Sequence, residues 1–293
     1  MSVTWYLQPA PVVCKVTGKD ARRYLNNRLS NDLRTAPPGS SLTAGALTPQ
    51  GRVEGLFTVY VEADDLFYLA SDGGDRQPLF AALSRYIVAD RVSIVDCSSE
   101  ALVGHVAGEF SFAPSSECVV RTSPRNRVGV AGHDFLIVAQ QISSIRDELV
   151  KAFGSPLSDD DYNRRRFAHG FVQYPTEVND STILTEARLR DSVSFQKGCY
   201  VGQEVIERSD AIGKLPRHVE RIVLRGNGAI PVQSAVVGKD GKPIGKVLSV
   251  VLDTANARTL VFALLKTAAY APGDEVQCEG LVGKIISSEE KNI

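Results

Sequence analysis

The chain has 293 residues, of which 43% are apolar and 23% charged, and its formal net charge is -1 at pH 7. This composition is typical of a globular protein with room for two or three domains. Because the charges balance, no broad attraction to nucleic acid or to anionic membrane is expected. No apolar run approaches the ~20 residues that span a bilayer, and the first residues lack a targeting pattern. We therefore expect a cytoplasmic protein that binds no nucleic acid directly and no membrane.

The first half of the chain alternates between strand and helix patterns. Thr17 and Asp20 have the form of a capping box, and apolar residues then recur every four positions, which predicts a helix over residues 18–31. The further segments predicted up to residue 153 are strands at 12–16, 53–61, 66–70, 92–95, 102–106 and 135–139 and helices at 75–89 and 142–153. This order indicates an α+β fold with antiparallel or mixed sheets. A dinucleotide-binding fold is disfavoured because no G-x-G-x-x-G follows a strand.

The second half of the chain becomes strand-rich after residue 219. Before that point, Ser158 and Asp161 form a second capping-box pattern, and the helix that follows is predicted to end at Gly170. Residues 219–293 contain several short strand patterns separated by Gly and Pro turns. They predict a small β-barrel or sandwich as a separate C-terminal domain.

The five cysteines stand singly along the chain. Without a C-x-x-C pair, neither a metal site nor a disulfide framework is predicted. Four cysteines lie in apolar, strand-like surroundings and are expected to be mostly buried. These four are Cys14, Cys97, Cys118 and Cys278. Cys199 alone has polar neighbours, and the reactivity of a thiol depends on such neighbours.

The densest group of reactive side chains is the octet KGCYVGQE, residues 197–204. It combines a cation, a thiol, a phenol, an amide, a carboxylate and two glycines. Lys, Gln and Glu are seldom buried unless they are paired, so the octet is poor core material. Its glycines permit positive φ angles or close approach, which predicts a loop that feeds a short strand or helix near Val205. The octet is therefore the predicted functional site.

The residues around the octet, 170–221, supply the parts of a ligand site. Aromatic side chains such as Phe171 and Tyr174 offer flat apolar contact. Carboxylates such as Glu186 can pair with ring N–H donors, and cations such as Arg208 can hold an acidic tail. A flat, amine-bearing heterocycle with a carboxylated tail suits these groups.

Several stretches of the chain resemble one known family. KGCYVGQE resembles the K-G-C-[YF]-x-G-Q-E signature of the YgfZ family of folate-binding proteins, relatives of the glycine-cleavage T-protein, an aminomethyltransferase. RYLNNRLSNDL, LTPQGRV and ILTEARLRDSVSFQ resemble the family's early N-D helix end, its P-Q-G-R-[IV] turn and the block before the signature. PIGKVLSVVLD and ALLK resemble its C-terminal barrel, so the resemblance covers nearly the whole chain.

The resemblance implies an α+β fold of three domains in a ring around a central hole. Two of these domains are α+β and ferredoxin-like, and the third is a small C-terminal β-barrel. The implied folate-site domain is discontinuous and comprises residues 1–50 and 154–215. The second ferredoxin-like domain comprises residues 51–153, and the barrel comprises residues 216–293.

The resemblance also implies a function and partners. Members of the family bind tetrahydrofolate, or another reduced folate, and assist the assembly, maintenance or repair of iron-sulfur enzymes, including a radical tRNA-modifying enzyme in bacteria. The expected partners are a reduced folate and, transiently, iron-sulfur enzymes or assembly factors. One alternative is a folate-dependent aminomethyl or methyl transferase or demethylase that acts on a small amine. A third interpretation is a non-catalytic scaffold in which the octet is a structural turn.

The resemblance implies a role for each residue that stands at a position of the family's motifs. Cys199 matches the family's functional thiol, and Glu186 matches the acidic residue that holds the pterin ring in the T-protein. The catalytic residues that the resemblance implies are Cys199, Lys197, Tyr200, Gln203 and Glu204, and the folate-binding residues are Glu186, Asn31, Asp32, Tyr174 and Arg208.

One departure from the T-protein pattern bears on the reaction. The T-protein carries an acidic pair in its G-[GS]-[IV]-x-D-D-L strand, whereas GRVEGLFTVY places Gly55 and Leu56 at those positions. Glu54 is displaced by at least one position, which on a strand turns it to the opposite face. A general acid or base must lie within hydrogen-bond reach of its proton, so ordinary aminomethyl transfer is not expected.

Two roles remain open for Cys199. As a nucleophile or redox thiol it needs a lowered pKa, which Lys197 supplies only if the turn brings the ammonium near the sulfur. As a transient ligand of iron or of a cluster it shares the metal with a partner, because the chain has no second cysteine nearby.

Overall fold

The structure is a computed structural model that describes residues 3–114, 117–213 and 215–287. The strands are β1 (Thr4–Leu7), β2 (Val12–Thr17), β3 (Ser41–Leu47), β4 (Val53–Ala63), β5 (Leu66–Ser71), β6 (Ser93–Asp96), β7 (Ala101–Ala107), β8 (Val119–Arg125), β9 (Gly132–Val138), β10 (Arg217–Arg225), β11 (Ala235–Val237), β12 (Pro243–Asp253), β13 (Arg258–Lys266), β14 (Glu275–Cys278) and β15 (Leu281–Ile286). The helices are α1 (Ala21–Arg28), α2 (Arg76–Ser84), α3 (Ile142–Phe153), α4 (Asp159–His169) and α5 (Gln203–Ile212).

A five-stranded antiparallel sheet with the order β3-β4-β5-β2-β6 organises the first part of the chain. Val53, Phe57 and Val59 of β4 alternate toward one face, as a half-buried strand requires. That face packs against Leu25 of α1 and Leu79 of α2, both of which are fully buried. The helices and the sheet therefore share one core, and this core continues to the outer face of the C-terminal barrel.

The two predicted capping boxes have different outcomes. Ser158 Oγ accepts a hydrogen bond from the Asp161 amide at the start of α4, and Gly170 ends that helix with a φ of 83°, so this prediction is confirmed. The prediction at Thr17 and Asp20 is wrong. The Asp20 carboxylate makes no cap bond and accepts from the Arg91 amide at 2.9 Å instead, because the loop before β6 lies against the start of α1.

A four-stranded antiparallel sheet with the order β1-β7-β9-β8 forms a second layer. Helix α3 packs Ile145 and Leu149 against one face of it. Its other face lies against the five-stranded sheet, where Tyr60 and Leu136 belong to one buried cluster. The two sheets are thus packed face to face, with helices on the outside.

The C-terminal strands close into a six-stranded barrel with the order β10-β13-β12-β11-β14-β15. Inward residues such as Ile222, Val261 and Ile285 fill its interior. The α+β class and the C-terminal barrel predicted from the sequence are confirmed.

The sheets do not follow the domain boundary predicted at residues 50 and 51. Strands β4 and β5 follow residue 50 but complete the sheet that contains β2 and β3, because neighbouring hairpin strands pair directly. Strand β1 joins the other sheet through β7. The barrel begins at Arg217, next to the boundary predicted at residue 216. The division into domains at these boundaries stays a prediction.

Candidate functional site

The loop that carries Cys199 runs from residue 193 to residue 202 and leads into α5. Gly198 and Cys199 are exposed, whereas Lys197 and Tyr200 on either side are buried. Among the described residues, no hydrogen bond to Cys199 is found, and Cys199 is the one cysteine classed as exposed. The loop therefore presents its thiol to solvent between two buried anchors. We call these residues, 193–202, the Cys199 loop.

Lys197 anchors the loop to the end of α1. Its ammonium donates to the carbonyl oxygens of Leu29 and Asn31, each at 2.7 Å, and to that of Asn26. All three ammonium protons are used in this way. Burial lowers the pKa of Lys197 to about 8. The ammonium therefore holds the loop through backbone carbonyls, and its donors are not free to serve the thiol.

Tyr200 is the second anchor. Its ring is buried in the main core, and its hydroxyl has no hydrogen-bond partner among the described residues. Burial raises the pKa of Tyr200 to about 12. The Tyr200 amide donates to Gln203 Oε1 at 3.2 Å, and Gln203 Nε2 donates to Glu207 at 2.6 Å. Gln203 thus fixes the turn into α5.

Two glycines let the start of α5 press against the TPQG turn. Gly202 has a φ of 84°, and a Cβ there would lie 2.5 Å from the Thr48 carbonyl oxygen. Gly51 has a φ of 72°, and a Cβ there would lie 2.9 Å from Val205. Both positions need a glycine, for conformation and for space. The two sequence motifs that resemble the family are therefore packed backbone against backbone.

The last two predicted residues of this region, Glu204 and Arg208, face solvent. They form an ion pair at 3.4 Å on the exposed side of α5. Exposed pairs of this kind contribute little to stability.

Asn31 connects the segment just before the Cys199 loop to the five-stranded sheet, and Asp32 lies beside it. Asn31 Nδ2 donates to the carbonyl oxygen of Thr43 at 2.8 Å and to that of Asp191 at 2.9 Å. The guanidinium of Arg34, paired with Asp32 at 2.6 Å, holds the pKa of that carboxyl below its usual range. Asn31 thus binds backbone carbonyls, and Asp32 binds Arg34. Thr43, which accepts from Asn31, also lines a cavity.

This cavity lies between the two sheets and is lined by Thr43, Leu56, Phe57, Thr58, Ala70, Asp72, Arg125, Arg127, Phe171, Val172, Tyr174 and Leu189. We call it the inter-sheet cavity. It is narrow, with a volume of about 20 Å³, which is room for about one water molecule. Leu56, Phe171, Tyr174 and Leu189 give it apolar and flat walls, while Asp72 and two arginines form its polar end. The Tyr174 hydroxyl is fixed by donation to the Glu54 carbonyl oxygen at 3.0 Å.

Arg127 organises the polar end of the inter-sheet cavity. It donates to Asp134 at 2.6 and 2.7 Å and to Asp72 at 2.8 and 2.9 Å. Asp134 also pairs with His105 at 3.0 Å. Burial alone would raise the pKa of Asp134, but Arg127 and His105 hold it well below its usual range. The guanidinium of Arg127 thus bridges the two carboxylates.

Leu56 lines the inter-sheet cavity at the position where the T-protein pattern has an acid. The register between β3 and β4 skips Glu54, which forms a bulge. The Glu54 carboxylate pairs with Arg28 and Arg85, each at 2.7 Å, on the side of the helices. The prediction that Glu54 faces away from the Leu56 position is confirmed.

Glu186 lies outside the lining of the inter-sheet cavity. Its carboxylate accepts from Arg217 at 2.8 and 3.1 Å and from the Ile183 amide at 3.1 Å, and Arg52 lies 3.9 Å away. The Glu186 carbonyl accepts from the Val219 amide at the start of the barrel. The structure therefore places Glu186 where the chain meets the barrel, with three of about four acceptor positions filled.

The sequence interpretation missed the polar end of the cavity. Asp72 directly follows β5, and Arg125 and Arg127 lie where β8 ends. A carboxylate and two cations at strand ends are a usable signal, but no local pattern tells which strand ends meet. Tyr174 is the predicted folate-binding residue that lines the cavity, and the other predicted residues lie in or beside the Cys199 loop or, for Glu186, at the barrel.

The solved structure of the glycine cleavage system aminomethyltransferase T from Bartonella henselae has the same fold. The match covers 99% of this chain and 87% of that chain, with a TM-score of 0.80 and 14% sequence identity. This likeness shows that the chain has the fold of aminomethyltransferase T.

No family model matches the chain. Its sequence is similar to proteins with three kinds of name. An "iron-sulfur cluster assembly factor IBA57 homolog, mitochondrial" from Neurospora crassa is 26% identical over 74% of this chain and 52% of that protein. A "tRNA-modifying protein YgfZ" from Serratia proteamaculans is 22% identical over 66% of this chain and 63% of that protein. An aminomethyltransferase from Herpetosiphon aurantiacus is 25% identical over 89% of this chain and 78% of that protein.

These relatives confirm the resemblance predicted from the sequence: the chain is similar to the YgfZ and IBA57 proteins and to aminomethyltransferases. The chain spans about half the length of the IBA57 homologue. In the part of the chain that the structure describes, no helix has the length and apolar character needed to cross a membrane.

Proposed function

We propose that this protein binds a reduced folate and assists the assembly, maintenance or repair of iron-sulfur enzymes, including tRNA-modifying enzymes, through Cys199. The names of the IBA57 and YgfZ relatives support the cellular role. The observation that carries the proposal is the exposed Cys199 thiol on a loop held by the buried Lys197 and Tyr200. A thiol presented in this way can reach a metal or a sulfur atom on another protein.

The inter-sheet cavity suits part of a folate. Phe171 and Tyr174 provide flat contact, and Leu56 excludes water beside them. Asp72 accepts three hydrogen bonds, two from Arg127 and one from Gln8, so one acceptor position is left for a ring N–H. The cavity has a volume of only about 20 Å³, so a folate ring would enter only after its walls move apart. A bound reduced folate supplies a carrier for one-carbon units.

Two carboxylates compete for the role of ring partner. The resemblance assigns this role to Glu186, whereas the lining of the cavity favours Asp72. Calorimetric titration with a reduced folate distinguishes the two positions. Phe171→Leu changes the inter-sheet cavity, and Glu186→Gln changes the junction with the barrel. We expect saturable binding that Phe171→Leu weakens. Weakening by Glu186→Gln alone would move the folate to the barrel junction, and no binding at millimolar ligand would contradict folate binding altogether.

The role of Cys199 is tested in a strain that lacks the gene. The wild-type chain is expected to restore the activity of iron-sulfur enzymes, and Cys199→Ala is expected not to. The control is Cys118→Ala, because Cys118 is half-buried and far along the chain from the loop. Full restoration by Cys199→Ala would contradict the role of the thiol.

A folate-dependent transferase or demethylase is the second candidate, and Asp72 is the observation that favours it. Asp72 is the one carboxylate among the described residues that line the cavity. Both of its oxygens accept from Arg127, so few acceptor positions are left for a substrate proton. We expect no formaldehyde or methylene-folate from small amines. Turnover that Asp72→Asn abolishes would establish the transferase instead.

A further inference from the structure

Gly198, in the Cys199 loop, differs from the other glycines of the chain. Each of the other members of the set of 24 glycines either has a positive φ or would bring a Cβ within 4 Å of another atom. Gly198 has a φ outside the left-handed region, and among the described residues a Cβ there would meet no atom within 4 Å. An alanine therefore fits this position, and it would restrict the unfolded chain more than glycine does. Folding thus gives no reason for a glycine at this position.

The Cys199 loop is held in place on both sides of Gly198 and Cys199. The ammonium of Lys197 donates to three carbonyl oxygens at the end of α1, and the ring of Tyr200 lies in the main core. Gly198 and Cys199 between these anchors are exposed. A molecule that contacts the thiol must therefore come to the loop as it stands, and beside the thiol it meets bare backbone at Gly198.

The missing side chain matters for a broad surface and not for a small molecule. A small molecule reaches an exposed sulfur atom from many directions, so one extra methyl group beside the sulfur has little effect. A protein surface contacts the sulfur and its neighbours at once, and the core of a protein interface is packed as densely as a protein interior. One methyl group at Gly198 would hold such a surface away from the sulfur. The bare backbone therefore fits a protein partner.

The charges beside the loop are already paired within the chain. Arg34 pairs with Asp32 at 2.6 Å and also donates to the Gln196 carbonyl oxygen at 3.4 Å. On α5, Glu204 pairs with Arg208 at 3.4 Å. Exposed charges that are paired and screened by salt attract a partner only weakly over long distances. Contact with this surface thus depends more on close packing than on charge.

We propose that Gly198 sets the clearance above the Cys199 loop, so that the surface of a folded protein can pack against the loop and bring its own reactive group to the Cys199 sulfur. This inference rests on the proposed function and names the kind of partner that the thiol serves: a folded protein rather than a small molecule. Gly198 is a positioning residue, because it acts only on the distance between the partner and the thiol.

The first test uses the purified full chain and one reagent in two forms. Iodoacetamide is free in solution in one form, and in the other an iodoacetyl group is fixed by a short linker to a folded carrier protein. Mass spectrometry of the peptide that contains Cys199 gives the rate of alkylation. Gly198→Ala is expected to leave the rate with free iodoacetamide within about twofold of the wild type and to slow the carrier-bound reagent about tenfold. Gly198→Leu is expected to slow the carrier-bound reagent further.

The second test uses the strain that lacks the gene. At equal protein levels, Gly198→Ala is expected to restore iron-sulfur enzyme activity less than the wild type does, and Gly198→Leu is expected to restore it least. Urea denaturation of Gly198→Ala is expected to show a midpoint equal to or above that of the wild type. The matched control is Gly73→Ala, because the φ of Gly73 also lies outside the left-handed region and the nearest atom to a Cβ there, Pro175 Cδ, is 3.5 Å away. This control is expected to behave as the wild type in both tests.

The outcomes separate this inference from the proposed function. Full restoration by Gly198→Leu, together with no restoration by Cys199→Ala, would overturn the inference and leave the proposed function intact. Equal slowing of both forms of the reagent, or a loss of stability in Gly198→Ala, would also overturn the inference, because the glycine would then shape the loop itself. Full restoration by Cys199→Ala would overturn the proposed function, whereas slowing of the carrier-bound reagent alone would still support the clearance at Gly198. An equal loss in Gly73→Ala would overturn the specific role of Gly198.

Discussion

The inter-sheet cavity and the Cys199 loop differ in how their reactive groups are satisfied. In the cavity, Arg127 spends its donors on Asp72, Asp134 and Tyr162, and the site lies between the two sheets. In the loop, the side chains around the thiol are used to hold the backbone, and the thiol of Cys199 is left exposed. Under the proposed function, the first region takes the ligand and the second presents a group to a partner.

The difference changes the interpretation of the octet. Lys197 and Tyr200 belong to the octet, yet they act as anchors that are buried beneath it. Gln203 caps the turn, and Glu204 faces solvent. Of the five catalytic candidates that the resemblance implied, Cys199 is the one with a reactive atom exposed and without a described partner. Any chemistry of the octet therefore depends on the molecule that contacts Cys199 from the solvent side.

The largest expected effect separates the two regions by function. Cys199→Ser is expected to abolish the restoration of iron-sulfur enzymes in cells and to change the free energy of unfolding by less than about 0.5 kcal/mol, because the side chain is exposed. Chemical denaturation of the purified variant measures the change in the free energy of unfolding. A large loss of stability would show that the thiol has a structural role.

The next largest effect is expected when the shared cation at the polar end of the inter-sheet cavity is removed. Arg127→Met leaves the buried Asp134 and the partly buried Asp72 without their shared cation, and a loss of about 3–5 kcal/mol in the free energy of unfolding is expected. Arg164→Met is the control, because Arg164 pairs with Asp161 at the surface of α4. Urea denaturation of both variants gives the comparison. Equal losses for the two would show that the buried network does not stabilise the cavity.

A smaller loss is expected when the loop anchor is removed. Lys197→Met leaves the carbonyl oxygens of Leu29 and Asn31 without their donor, and a cost of about 2–3 kcal/mol is expected. Lys151→Met on the exposed side of α3 is the control. The rate at which Cys199 reacts with a thiol reagent is then measured in both variants. Equal rates would show that the loop still presents its thiol without the anchor.

The same anchor predicts a pH dependence. Because the pKa of Lys197 is lowered to about 8 in the folded protein and lies near 10.4 in the unfolded chain, the unfolded state binds more protons between these values. Stability from this group therefore rises with pH from about 8 to about 10.4. The difference in unfolding free energy between the wild type and Lys197→Met should grow over that range. A shrinking difference would show that the three carbonyls favour the charged ammonium more strongly than burial disfavours it.

The smallest effect concerns the exposed end of the octet. Glu204→Gln removes an exposed ion pair with Arg208, and a change of less than about 0.5 kcal/mol in the free energy of unfolding is expected. The result sharpens the contrast with Lys197, which lies in the same octet. A loss of folate binding in Glu204→Gln would contradict the placement of the ligand in the inter-sheet cavity.

Local patterns predicted much of the fold but not the meeting of distant segments. Strands such as β12 and β13 and helices such as α3 follow from periodicity, because each has a clear apolar face. The strand β1, with the sequence TWYL, was missed because four residues show no period. The position of Arg125 and Arg127 beside Phe171 also escaped prediction, since it depends on how two sheets pack. The three carbonyl oxygens around the Lys197 ammonium also escaped prediction, because they belong to residues far along the chain, at the end of α1.

The central claim is that the folate cavity and the Cys199 thiol are separate parts of one protein. The most direct test is calorimetric titration of Cys199→Ser with a reduced folate. The account predicts that this variant, inactive in cells, binds the folate within about twofold of the wild-type dissociation constant. A strong loss of folate binding in Cys199→Ser would contradict it, because the thiol would then belong to the ligand site.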